Sequence, residues 1–136
     1  MKRYEEIPHT ADLAATIYGK DLPGLFENAA FAMFDMMADL SGVMPEETVR
    51  IDIEEQDTES LLISWLNEVL YAGYIKHLVF SEFRVTSLGG NRLSAEAMGM
   101  ALDPRRIKNE IKAATYHDLK IEKRDGDYEV TIVFDV

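Results

Sequence analysis

Residues 117–136 read HDLKIEKRDGDYEVTIVFDV, and this stretch decides the fold. Asp125-Gly126 is the two-residue signature of a tight hairpin turn, and the alternation of apolar and polar residues on both sides marks two antiparallel strands. A two-residue turn pairs Arg124 with Asp127. Counting outward, Ile121 then faces Val130, Leu119 faces Ile132 and His117 faces Phe134. The last three pairs share one apolar face, which must lie on the core, so His117 reads as a structural histidine. The opposite face carries Lys120 with Thr131, Asp118 with Val133 and Tyr116 with Asp135. The Asp135 carboxylate therefore points away from the core, within reach of the preceding segment KAAT, residues 112–115.

Working outward from the hairpin, LVFSEFRVTSL (78–88) and RLSAEAMGM (92–100) form a second pair of strands, joined through Gly89-Gly90-Asn91. Residues 102–117 lie between the two pairs and give no clear pattern. Pro104 permits a helical turn, and IKAAT (111–115) reads as extended. Further back, residues 57–78 carry the strongest helical pattern. Asp57 or Thr58 caps it, Glu59 sits at its positive end, and Leu61, Leu62, Trp65, Leu66, Val69 and Leu70 form a continuous stripe. TVRIDIEEQ (48–56) alternates as a half-exposed strand. Residues 20–42 form a helix capped by Asp21 with Pro23 in its first turn. Its apolar face is Leu22, Leu25, Phe26, Ala29, Met33, Met36, Met37 and Leu40, and Gly42 ends it. Methionines at this spacing read as core. LAATIYG (13–19) is a strand. The expectation is α+β: one compact domain over residues 1–136, an antiparallel or mixed sheet carrying two main helices, closed by a C-terminal hairpin.

Composition limits the function. A chain of 136 residues is long enough to bury a substantial core. No apolar run reaches the roughly 18 residues of a membrane span, and the charged start MKRYEE lacks a signal-peptide core, so a cytoplasmic location is expected. With no cysteine there is no disulfide framework and no thiolate metal site. Fourteen basic against 25 acidic residues leave a net charge of −11. Phosphate backbones are bound through clustered Lys and Arg, so this balance disfavours direct RNA or DNA binding; it suits a basic protein partner or bound cations, or serves solubility alone.

The candidate chemistry sits at the two ends of the chain. EIPHTAD (6–12) places His9, Thr10 and Asp12 together after a proline. Asp135 stands one residue from the α-carboxylate of Val136, and two such negative groups repel each other unless a cation is near. A hard ion such as Ca²⁺ or Mg²⁺ takes oxygen ligands of this kind, Lys112 could neutralise them instead, and a frayed terminus would leave them in water. His77 follows a helix and supports its C-terminal end. Three dispersed histidines without cysteine make a poor zinc set, and no nucleophile elbow, Walker loop or dinucleotide fingerprint is present.

Taken together, HTAD (9–12), SLLISWLNEVLY (60–71), KAATYH (112–117) and VFDV (133–136) resemble the archease family, in order and spacing along essentially the whole chain. The resemblance implies a compact α+β accessory protein without catalysis of its own. It implies an activator of the tRNA-splicing RNA ligase that joins 2′,3′-cyclic phosphate to 5′-hydroxyl ends. Such an activator promotes GTP-dependent guanylylation of the ligase and multiple turnover, and meets tRNA only indirectly. It further implies a divalent ion, calcium foremost with Mg²⁺ or Mn²⁺ as alternatives, held by Asp12, Asp135 and Val136. Lys112 would be a further activation residue, with His9 and Thr10 shaping the loop. Two other functions compete: a metal-bearing, protein-binding chaperone for a tRNA-modifying enzyme such as a tRNA methyltransferase, and an autonomous metal-dependent phosphoesterase. The chain departs from the family pattern at Met100, where archeases are often acidic, and near Arg106, where they often carry a histidine. Both departures weaken any polar role for residues 99–106.

Overall fold

The computed structural model describes residues 2–8 and 12–136. The elements in order are β1 (Tyr4–Ile7), β2 (Leu13–Gly19), α1 (Leu22–Met37), β3 (Glu47–Glu54), α2 (Thr58–Lys76), β4 (Leu78–Gly89) and β5 (Arg92–Ala101). A 3-10 turn (Pro104–Arg106) and strands β6 (Ala113–Ala114), β7 (Glu122–Arg124) and β8 (Asp127–Asp135) follow. The α+β class with two helices and antiparallel strands is as expected, but the strands divide between two sheets. One has the order β1-β2-β8-β6 with β7 also on β8, and the other is β3-β5-β4. Every pairing in both is antiparallel. Strand β1 lies in a stretch to which no element was assigned from sequence.

Helix α1 explains the division. It packs on β2 of the larger sheet and on β4 of the smaller one, so it needs apolar side chains on two sides. Ala30, Ala32 and Phe34 are therefore buried in addition to the expected stripe of Leu25, Phe26, Ala29, Met33, Met36 and Met37. The methionines are core, as their spacing indicated. Asp21 caps the helix through Gly24 N, with Pro23 in the first turn. The helix stops at Met37 rather than near Gly42, because Ala38 turns extended and bridges Ile107.

Helix α2 starts at the Asp57 cap, whose carboxylate accepts from Ser60 N at 2.7 Å. His77 ends it in the left-handed conformation, its N–H donating to Gly73 O, which is the terminal role read from the sequence. Trp65 is fully buried and its indole N–H donates to Phe26 O at 2.9 Å, tying α2 to α1. Phe34, Phe80 and Phe83 stack edge-on and tilted beside it.

The terminal hairpin departs from expectation partway along. Near the turn the register is as read: Asp125 and Gly126 both take positive φ, and Arg124, Lys123 and Glu122 pair with Asp127, Tyr128 and Glu129. Beyond Glu122 the strand leaves β8. The chain that returns to it is β6, where Ala114 faces Phe134 and Ala113 faces Asp135. Phe134 thus pairs with Ala114 rather than His117, a displacement of three residues taken up by a loop over 115–121. His117 is consequently not a core residue. Its side chain is 59% exposed, with Nε2 3.3 Å from Asp118 Oδ2. Leu119 and Ile121 still pack on the core, as foreseen, but from the loop rather than from a strand.

Candidate functional site at the end of β8

Strand β8 runs between β2 and β6, so its last residues have a neighbour on each side. On one side the ladder ends with Leu13 paired to Phe134, and Asp12 lies in the bend one residue beyond it, as Asp135 lies one residue beyond Phe134. On the other side Ala113 pairs with Asp135, and Lys112 N donates to Asp135 O at 2.8 Å. Three segments remote in sequence, residues 12–13, 112–114 and 134–136, therefore meet at one end of the larger sheet. The terminus is anchored rather than frayed, because Ile132 and Phe134 are fully buried and Val133 is nearly so. Asp135 stands past the last buried residue of the strand and is exposed beside Val136.

Asp12 is half-buried in a bend immediately before β2. His9 and Thr10, expected to shape this loop, lie outside the described residues. Among the described residues, no three His, Asp or Glu side chains are grouped as a metal site. Asp12 and Asp135 would need the oxygens of Val136 or water to complete a coordination shell. Carboxylate and main-chain oxygens are hard donors, which suits Ca²⁺ or Mg²⁺ and does not suit a soft metal. Among the described residues, Lys112 makes no ion pair within 4.0 Å with Asp135. Its side chain instead lines a surface depression of about 330 Å³ with Asn67, Glu68, Tyr71 and Tyr74.

One residue important to this end escaped the sequence reading. Asn67 on α2 donates from Nδ2 to Ala114 O at 3.2 Å and accepts from Ala114 N at 2.8 Å. Its amide stands where another strand would otherwise pair, so the two-residue β6 has β8 on one edge and Asn67 on the other. Tyr74 Oη donates to Ile111 O and holds the approach to β6, while Thr115 N and Oγ1 both reach Val133 O, at 3.1 and 2.8 Å. The available signal was a lone amide directly following the apolar pair Trp65-Leu66.

The region 99–106 takes no part at this end. Met100 Sδ accepts from Met44 N, and Arg106 Nη1 donates to Asp39 O and Ser41 O, fixing the loop after α1. Asp103 is held down at about 2 by its hydrogen bonds from the Arg105 side chain and backbone. A depression of about 450 Å³ opens between Arg3, Phe31 and the edge strand β4, and none of the nominated residues lines it. Among the described residues no helix is long and apolar enough to cross a membrane.

Residues 4–136 match the model of the Archease protein family (MTH1598/TM1083). The chain is 41% identical over 142 residues to the protein archease of Pyrococcus abyssi, with all of both chains covered. It is 37% identical to that of Methanosarcina barkeri, covering 99% of this chain and 97% of the relative. Among solved structures, protein 1598 of Methanobacterium thermoautotrophicum superposes with a TM-score of 0.88 at 36% identity over the full length of both chains. An archease from Thermotoga maritima, titled a possible chaperone, gives a TM-score of 0.68 at 25% identity, covering 97% of this chain and 96% of that one.

Proposed function

This chain belongs to the archease family, and from that premise we propose that it activates the tRNA-splicing RNA ligase that joins 2′,3′-cyclic phosphate to 5′-hydroxyl ends. Its role is that of a cytoplasmic accessory protein that promotes guanylylation of the ligase from GTP and so allows repeated turnover. The observation that supports this most is the convergence of residues 12–13, 112–114 and 134–136 at one end of the larger sheet. Three of the four stretches that carry the family resemblance contribute to that end, and the fourth supplies Asn67, which braces it.

In this reading Asp12, Asp135 and the oxygens of Val136 hold a divalent ion, calcium foremost. A bound cation would offset the mutual repulsion of the carboxylates and present positive charge to phosphate or carboxylate oxygens. The protein's own contribution is positional. Buried β8 fixes Asp135, its pairing with β2 brings Leu13, the residue after Asp12, beside Phe134, and Asn67 holds β6 against its other edge. Lys112 stands on the next surface, lining the depression beside Ala113. The net charge of −11 favours fast encounter with a basic, RNA-binding enzyme.

The test is ligase guanylylation and multiple-turnover ligation with the cognate ligase, GTP and Ca²⁺, Mg²⁺ or Mn²⁺. Wild type is compared with Asp12→Asn and Asp135→Asn, each shown folded by circular dichroism. Acceleration of both steps by wild type, with a loss of tenfold or more in the folded variants, is the expected result. An inert wild type ends the ligase reading. A second reading is a protein-binding chaperone with a structural ion, favoured by the wording applied to the Thermotoga maritima structure. It predicts that both substitutions lower thermal stability and partner binding together, with no separate effect on guanylylation.

A further inference from the structure

The C-terminal half of α2 carries apolar side chains on its solvent side as well as its core side. Tyr71, Tyr74 and Ile75 are 61%, 42% and 57% exposed, and Ile107 beside them is 39% exposed. These are four of the seven large apolar side chains most exposed among the described residues. They are also neighbours. Tyr71 and Ile75 are one helical turn apart, Tyr71 and Tyr74 share the depression that holds Lys112, and Tyr74 and Ile107 flank an adjoining hollow. Tyr74 is immobilised by its bond to Ile111 O, so its ring is presented without an ordering cost.

This face falls short of the roughly 800 Å² that each side of a stable complex contributes, so four side chains do not make a self-sufficient dimer interface. What adjoins it can extend the contact. Ala113 lines the depression and is the residue paired with Asp135, so the aromatic face borders the end that carries Asp12, Asp135 and Val136. Tyrosines next to carboxylates, on a chain of net charge −11, complement a basic surface: guanidinium groups stack on the rings and reach Glu68 or Asp135. We propose that Tyr71, Tyr74 and Ile75 form the anchor by which this protein docks on a basic protein surface, with the end of β8 delivered beside it. The occupant is the RNA ligase of the preceding subsection, and the inference rests on that reading.

The experiment measures binding of the cognate ligase by titration calorimetry, together with ligase guanylylation. It uses wild type, Tyr71→Ala, Tyr71→Glu with Ile75→Glu, and Gln56→Glu as a control that adds one negative charge at an exposed site away from this face. Each variant is checked for an unchanged circular dichroism spectrum and melting temperature. A tenfold or greater loss of affinity in the Tyr71 and Ile75 variants, with Gln56→Glu matching wild type, is the expected result. In that case saturating amounts of Tyr71→Ala still activate, because the metal-binding end is intact. If wild type binds and activates while both face variants bind equally well, the docking assignment is wrong and the ligase reading stands. If wild type does not bind the ligase, both fall together. A wild-type dimer in sedimentation that Tyr71→Glu dissociates assigns the face to a second copy and overturns the proposal.

Discussion

At the scale of single residues, the structure depends most sharply on close approaches. Gly99 on β5 lies against the bulge of β4, and a Cβ there would come within 1.8 Å of Val79 O and 2.7 Å of Phe80 Cα. Backbone atoms cannot rotate aside as a side chain can. Gly99→Ala is therefore expected to destabilise by about 2 kcal/mol or more, read by urea unfolding with the fluorescence of Trp65, the sole tryptophan. Asp57 acts through its charge. Hydrogen bonds from Ser60 hold its carboxyl below the ordinary aspartate value of 3.8. A depressed pKa contributes stability that is fully present above that value and is lost as pH falls below it toward the folded one. Asp57→Asn retains a capping oxygen and does not titrate, so it should flatten the acid limb of a stability profile measured from pH 2 to 6. The cap could be read directly, since Asp57 precedes Glu59 and an apolar run. Gly99 could not, because nothing local to it reveals a bulge nineteen positions away in sequence.

At the scale of elements, the lesson is in the last hairpin. The Asp125-Gly126 turn specifies the pairs next to it and no others. Farther along, two ways of returning to β8 compete, differing by three residues. The decision rests on contacts that sequence spacing does not reveal: Asn67 bonding both polar groups of Ala114, Thr115 reaching Val133 O twice, and Asp118 turning at φ 48°. Hydrogen exchange checks this register. The amides of Lys112, Ala114 and Thr115 should be protected, whereas those of Tyr116, Asp118 and Lys120 should exchange rapidly. Protection alternating through 117–121 instead would restore the simple hairpin. Asn67→Ala should deprotect Ala114 first and leave the Arg124–Asp127 end of the hairpin unchanged.

At the scale of the whole molecule, class and helices were legible because apolar periodicity and capping residues are local signals. The division into two sheets was not, since it depends on α1 burying two faces, which a chain with ordinary helical spacing does not announce. The candidate site was legible in part. The strand pattern set Asp135 on the face opposite Phe134, but that the residue following Asp12 lies beside this end follows only from the β2–β8 ladder. That proximity carries a thermodynamic consequence if an ion binds there. Calcium at about 100 times its dissociation constant should stabilise the wild type by about 2.7 kcal/mol, seen as a rise in Tm that chelation reverses. Asp12→Asn and Asp135→Asn should show a much smaller rise, and equal rises in all three proteins would remove those carboxylates from the ion site.

Strand β8 also dictates a timetable. It follows β2, β6 and β7 in the chain, yet it is the partner of all three. On the ribosome the smaller sheet has its three strands once Ala101 has emerged, while the larger one is held open until the last of its members leaves the exit tunnel. During that interval β2 has β1 on one side and an unsatisfied edge on the other. The end of β8 that supplies Asp135 is thus also the final stitch, and no nascent chain presents the assembled site before synthesis reaches it.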